Sequence, residues 1–189
     1  TDFLRSHERG RVDAIASAQH GVVTTRQLLD AGASSAGISR ATGRGRLVRV
    51  HRSVYRVAGA PVTWRQAVLA AVLAGAPHAF ASHRTGVALS GLPRTRGGIV
   101  EIVTERHQRL QGNVVVSHRT LDLPVADQWR VDGIPVTGID RSLIDVGRYW
   151  PASPAASLLD EAVRARLTTY ERFVSRVHAL ARPGRNGIG

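Results

Sequence analysis

Glycines and capping hydroxyls cut the first third of the chain into pieces that suit only small helices and a hairpin. Residues 7–19 place Val12, Ile15, Ala16 and Ala18 at helical spacing, and Gly21 stops that run. Val22 and Val23 then form a short extended bridge. Thr24 followed by Gln27 is a capping-box pattern, in which each side chain satisfies a backbone amide at the other's position. A second helix therefore starts there; it is expected to turn Leu28, Leu29 and Ala31 inward and to end at Gly32. Ser34 or Ser35 caps a third helix holding Ile38, Ser39, Arg40 and Ala41, which Gly43 and Gly45 end. Two β-rich runs follow, 47–51 and 54–57, joined by Arg52-Ser53 and alternating valine with arginine and histidine. They read as a hairpin with one wet face, Arg49 and His51 on one side and Val48 and Val50 on the other. Three short helices and then a β-ribbon is the order of a winged helix-turn-helix.

Residues 58–62 (Ala-Gly-Ala-Pro-Val) read as a linker. Beyond them helix and strand signals mix. A helix over 63–74 is capped by Thr63 and ended by Gly75, and another runs from Ser82 through Val87 and Leu89 to Gly91. Strands are expected over 99–103, 114–117 and 134–137, the last behind an Asp132-Gly133 turn. Asp140 is the expected cap of a short helix with Leu143, Ile144 and Val146. Ser153, with Pro154 just inside, opens a helix through Leu158, Leu159, Ala162 and Val163. Thr168 or Thr169 opens the last, through Phe173, Val174 and Val177, and residues 182–189 read as a loose tail. The expected class is mixed α/β (α+β). A winged helix-turn-helix over residues 1–60 precedes an α/β domain with a small mixed sheet over 61–181.

Charge narrows the function. All 26 basic residues are arginine, against 14 acidic ones, for a formal net charge of +12. A GC-rich coding sequence accounts for the missing lysine but not for where the arginines lie. Between Asp30 and Glu101 there is no acidic residue, yet arginine stands at 40, 44, 46, 49, 52, 56, 65, 84, 94 and 96. A solvated basic face normally mixes both signs; a segment this one-sided repels itself unless a polyanion is near, and phosphate backbones are the usual partner. The absence of cysteine excludes disulfides, thiolate metal sites and a cysteine nucleophile. No apolar run approaches the roughly 20 residues needed to cross a bilayer, and no basic-then-apolar leader stands at the start, so a cytoplasmic protein without membrane contact is expected. The absence of methionine, position 1 included, points to a processed or partial product.

The candidate DNA contacts are Ser34, Ser35, Ser39 and Arg40 on the third helix, where the N-terminal part of a recognition helix meets base edges. Arginine to guanine is the commonest specific contact; the serines serve equally as caps. Arg44, Arg46, Arg49, His51 and Arg52 at the wing are assigned to phosphates, against the alternative of a sheet edge kept charged to prevent aggregation. Ser82-His83-Arg84-Thr85 recurs as Ser117-His118-Arg119-Thr120. Two His-x-Thr copies are the signature of two-histidine phosphoesterases, in which one imidazole is base and the other acid. The short gap and the helical first copy favour a structural role, with Ser82 as N-cap. Asp140, Asp145, Asp160 and Glu161 have no metal-ligand spacing; Asp140 reads as a cap and Asp160-Glu161 as a solvated face paired with Arg164. Trp64, Trp129 and Trp150 read as anchors of small cores. No complete catalytic site, cofactor motif or metal site is expected.

Gly21-Val22-Val23-Thr24-Thr25, Gln27-Leu28, Gly32, the run 45–51 and Val54-Tyr55 together resemble the winged-helix domain of AbiEi-family antitoxins of type IV toxin–antitoxin systems. The continuation is similar to a pattern found with that domain in high-GC bacteria, through Ala81-Ser82-His83-Arg84, the run 131–137, the run 140–145 and Leu159-Asp160-Glu161-Ala162. The resemblance implies an autorepressor that binds inverted repeats as a homodimer before its own operon and counters a nucleotidyltransferase toxin. Longer relatives append an endonuclease domain similar to very-short-patch-repair enzymes. The alternative it implies is therefore the DNA-targeting front of a PD-(D/E)xK endonuclease whose carboxylates have no counterpart in this sequence.

Overall fold

The structure, a computed structural model, describes residues 6–92, 95, 98–105, 110, 115–120 and 122–181, with side chains from residue 9 onward. Among them helix α1 spans Ser6–Ala18, strand β1 Val22–Thr24, α2 Thr25–Asp30 and α3 Ser35–Gly43; β2 (Leu47–His51) and β3 (Val54–Val57) follow. These pair antiparallel in the order β1-β3-β2. The extended bridge at Val22 is thus a true strand and completes a winged helix.

Local chemistry explains most of these boundaries. Thr24 and Gln27 form the full capping box: the Gln27 amide donates to Thr24 Oγ1 at 3.2 Å and the Thr24 amide to Gln27 Oε1 at 2.9 Å. Ser34, not Ser35, caps α3, accepting from the Gly37 amide at 3.0 Å. Gly45 stands at φ +70°, the left-handed region that glycine enters without penalty. One inward assignment fails: Leu28 and Ala31 are buried, but Leu29 is 40% exposed, because so short a helix has room for one buried stripe.

Alternation gives the small sheet two buried faces rather than one wet one. Val23, Leu47 and Tyr55 pack with Val12, Ala16, Leu28, Ile38 and Ala41 of the helices. Val22 and Val54, pointing the other way, pack against Val68, Leu69 and Val72 of α4 (Trp64–Gly75). That second face links the winged helix to everything after it. The run 58–62 is a tight connection: Gln66 Nε2 donates to the His20 and Pro61 carbonyls at 2.8 and 2.9 Å.

A second sheet, of mixed direction, has the order β6-β5-β4-β8-β7, formed by β4 (Ala79–Ala81), β5 (Val100–Thr104), β6 (Val115–Arg119), β7 (Gln128–Val131) and β8 (Ile134–Thr137). β4 and β7 carry little sequence signal, one being three small or aromatic residues and the other an exposed edge. α4 covers one face; α5 (His83–Leu89) and α6 (Ile139–Gly147) lie against the other, with α7 (Ala152–Arg164) and α8 (Tyr170–Leu180) outside them around Val87, Leu143, Val146, Leu158 and Ala162. Two helix starts differ from expectation, and a third lacks its capping bond. Gly138, not Asp140, is the N-cap of α6, and Asp140 bonds Thr168 and Arg172 instead. Pro151 precedes α7, so Ser153 and Pro154 lie inside its first turn. Ser82 is the N-cap of α5, but its side chain makes no capping bond. Asp160 accepts from the Tyr170 hydroxyl at 2.8 Å. Val174 is exposed on α8. Val114 and the expected tail 182–189 lie outside the described residues.

α5 and α6 touch so closely that only glycine fits at 86. A Cβ there would lie 2.3 Å from Ser142 Oγ, which donates to the Thr137 carbonyl at 3.0 Å and sits 2.7 Å from Thr137 Oγ1. Gly86→Ala is therefore expected to lower stability by about 2–4 kcal/mol by displacing a buried hydroxyl pair. Thermal unfolding followed by circular dichroism checks this, and a melting temperature equal to the parent's would disprove the close-contact account.

Candidate nucleic-acid interface

The expected contact residues lie on two elements. Ser34, Ser35, Ser39 and Arg40 are exposed on α3, while Gly37, Ile38 and Ala41 turn inward. Helical periodicity does this: the apolar side is consumed by the core, and the hydroxyls and the guanidinium are left outside. Arg44, at the C-cap of α3, and Arg46, at the entry to β2, are exposed, as is Arg52 at the tip of the hairpin. Among the described residues Arg40, Arg44 and Arg52 have no side-chain partner, so their charge is not neutralised within the fold.

The β2 assignments need correction. Leu47, not Val48, is the buried residue at the start of the strand; Val48 is 38% exposed. Arg49 lies directly opposite Tyr55 and shares its face; its guanidinium carbon sits 5.6 Å from the ring centroid and Nη2 donates to the Tyr55 hydroxyl at 3.4 Å. Tyr55 thereby steadies a surface cation, a role that alternation alone did not reveal. Val50 packs on the other face, beside α4. A bulge between Arg49 and His51 then shifts the register by one residue, and His51 is buried at 7% exposure. His51 is thus removed from the contact surface.

Tertiary contacts also divide the basic segment. Arg65 pairs with Asp132 at 2.8 Å and Arg84 with Glu101 at 2.9 Å, acids that lie outside the segment in sequence. Arg40, Arg44 and Arg52 find no such carboxylate among the described residues. Arg94 and Arg96 lie outside the described residues.

The repeated Ser-His-Arg-Thr motif comes together, but not as facing acid and base. His83 and His118 stack ring on ring, centroids 3.6 Å apart and planes 20° apart, with Tyr149 tilted against both. No gap for a phosphate remains between rings at van der Waals distance. Ser82 Oγ lies 2.9 Å from His83 Nδ1, and His118 Nε2 donates to Glu101 Oε1 at 3.4 Å. His83 is 5% exposed, and burial, with His118 stacked on it, pushes its pKa down to about 3. Glu101 is held at about 2: burial works to raise it, but hydrogen bonds from His118 and Arg84 outweigh that. Beside them burial pushes Asp145 up, against the pull of Arg141. His83 adopts φ +52°, a left-handed conformation rare for a residue with a β-carbon. Among the described residues no group of three or more His, Asp or Glu is placed to hold a metal ion, and no helix is long and apolar enough to cross a membrane.

Residues 11–58, the winged helix almost entire, match the family described as transcriptional regulator, AbiEi antitoxin. The resemblance seen in the sequence therefore holds for this segment, about a quarter of the chain, which is similar to the winged-helix domain of an antitoxin family of transcriptional regulators. No curated protein matches the chain.

The histidine stack makes a pH prediction. His83 stays neutral in the fold down to about pH 3 but ionises near 6.5 when unfolded, so the unfolded state gains a proton that the folded state refuses. Its contribution is complete above about pH 6.5 and is lost as pH falls towards 3, by about 3–5 kcal/mol in the limit. Glu101, depressed from 4.5, adds a loss in the same direction between about pH 4.5 and 2. His83→Asn, which tolerates the left-handed backbone, is expected to flatten the fall in urea midpoint between pH 6.5 and 4.5. An unchanged slope in that variant would refute the assignment.

Proposed function

We propose that the protein binds double-stranded DNA sequence-specifically and represses the operon of a type IV toxin–antitoxin system. The observation that carries this is the exposed trio Arg40, Arg44 and Arg52, without a side-chain partner among the described residues, on α3 and the wing of a winged helix that matches an antitoxin family. A recognition helix sits in the major groove with its N-terminal residues on base edges, so Ser35, Ser39 and Arg40 read bases and Ser34, already capping, lies nearest a phosphate. Arg44, Arg46, Arg49 and Arg52 take backbone phosphates, each releasing counterions and adding to the salt dependence of binding. We divide the chain at about residue 60, giving DNA binding to the first part. The second part is assigned to homodimerisation on an inverted repeat and to a nucleotidyltransferase toxin, in the cytoplasm and away from membranes.

The decisive experiment compares binding to the duplex upstream of the protein's own gene with a random duplex of equal length over a salt series. Clear preference for the upstream fragment is the expected result. Salt-sensitive binding without preference would instead leave a DNA-tethering module, as in the front of an endonuclease, and absence of binding to either would end the reading. Arg40→Ala is expected to lose about 1–3 kcal/mol on the cognate duplex and little on the random one. Arg46→Ala or Arg49→Ala should weaken both alike, each lowering the salt slope by about one. Equal losses on both duplexes for all three variants would overturn the division between base and phosphate contacts.

A further inference from the structure

Strand β7 ends the large sheet with its outer side open. It pairs only with β8, and Gln128, Trp129 and Arg130 are all exposed. Trp129, the expected core anchor, is 58% exposed. A row of unpaired strand amides and carbonyls is a ready template for another strand.

The hairpin decides which groups face outward. Its turn consists of Asp132 and Gly133, at φ +49° and +78°, the two positive angles of a type I′ turn. Such a turn closes on a hydrogen-bonded pair, Val131 with Ile134. Bonding alternates along an antiparallel ladder, so the next pair, Arg130 with Pro135, exchanges no bonds. Proline, which has no N–H, suits that position. The N–H and carbonyl of Arg130 therefore point out of the sheet, as does the carbonyl of Gln128. None of the three has a partner among the described residues. The Gln128 N–H donates instead to the Val125 carbonyl.

We propose that a second copy of the chain pairs on this edge, β7 against β7 antiparallel, about a two-fold axis at Trp129. The edge selects its own copy because it is self-complementary. With Trp129 opposite Trp129 of the second copy, each Arg130 N–H meets the Gln128 carbonyl of the other strand. Each guanidinium then lies opposite a neutral amide. In the neighbouring register Arg130 faces Arg130 across the axis, and like charges directly opposite destabilise a strand pair. In the register at Trp129 the central pair is the kind that exchanges no bonds, where side chains come closest, and it joins two indoles. Each indole is already held, Nε1 donating to the Ala126 carbonyl at 3.2 Å, so pairing costs it little freedom.

The proposal rests on the homodimer reading above and names its surface. It also ties the axis to the winged helix. The Asp132 carbonyl lies 2.9 Å from His20 Nε2, and the Asp132 carboxylate takes Arg65 at 2.8 Å. An axis one hairpin away from these contacts fixes the separation of two recognition helices, as an inverted repeat requires.

The test is sedimentation equilibrium of the whole chain without DNA. The expected result is a dimer whose dissociation constant rises about ten-fold or more in Trp129→Thr and in Arg130→Pro. The proline removes an N–H that β8 does not use, whereas Arg130→Ala keeps it and is expected to stay dimeric. Disulfides then read the register, since the chain has no cysteine of its own. Gln128→Cys and Arg130→Cys are expected to crosslink when mixed but not singly, because Cα atoms more than about 7 Å apart cannot be bridged. A monomer at every concentration would overturn both the proposal and the homodimer reading. A dimer unchanged by Trp129→Thr and Arg130→Pro, or single variants that crosslink as readily as the mixture, would overturn the surface alone. Should Arg130→Pro fail to fold, the crosslinking decides.

Discussion

Helix α4 is the member on which the rest is hung. Val68, Leu69, Ala70, Ala71 and Val72 are all buried, so the helix is apolar nearly all round rather than along one stripe. A helix of that kind must be covered on several sides. Here Val22 and Val54 of the small sheet cover one side, and Ala79, Ala81, Ile102, Ile134 and Val136 of the large sheet another. Because one core serves both sheets, the wing is docked directly on the second part. Polar contacts at the rim fix the seating. His20 Nε2 lies 2.9 Å from the Asp132 carbonyl, and Arg65 reaches the Asp132 carboxylate.

On the far side of the large sheet the elements are tied by buried charge as well as by apolar packing. Arg141, almost wholly inside, gathers Asp127 and Asp145 with the Asp122 carbonyl and the Thr120 hydroxyl, and Asp127 also takes Arg176. A buried guanidinium is tolerable only when its donors are this fully used, since desolvating it otherwise costs several kcal/mol. Glu101 does the same one layer away with Arg84 and His118. These networks bring distant segments to one place and explain why histidines that look catalytic in sequence end as a stacked pair inside a polar core.

The contrast between the two regions is informative. In the second part four arginines, Arg84, Arg141, Arg172 and Arg176, are paired with carboxylates. On α3 and the wing Arg40, Arg44 and Arg52 face outward without a partner among the described residues, and Tyr55 lies beneath Arg49. Charge that a fold leaves unmatched on one element is charge available to a polyanion.

Much of the winged helix was legible in the sequence because its signals are local. A capping box and glycines at turns act over a few residues, so Thr24-Gln27 and Gly45 identify their own roles, while the choice of Ser34 over Ser35 as the cap of α3 came from the structure. The mixed class and most helices of the second part followed from periodicity in the same way. What sequence reading missed depends on distant partners. The bulge that buries His51 appears only when β2 meets β3, and β4 and β7 are strands only because β5 and β8 lie beside them. Which arginines are neutralised, which tryptophan is left open and how His83 meets His118 depend on contacts between residues far apart in the chain. Composition and spacing determine which groups the chain possesses and which short elements it makes; only the packing of α4 between two sheets, and of α5 and α6 on the second, decides which of those groups meet.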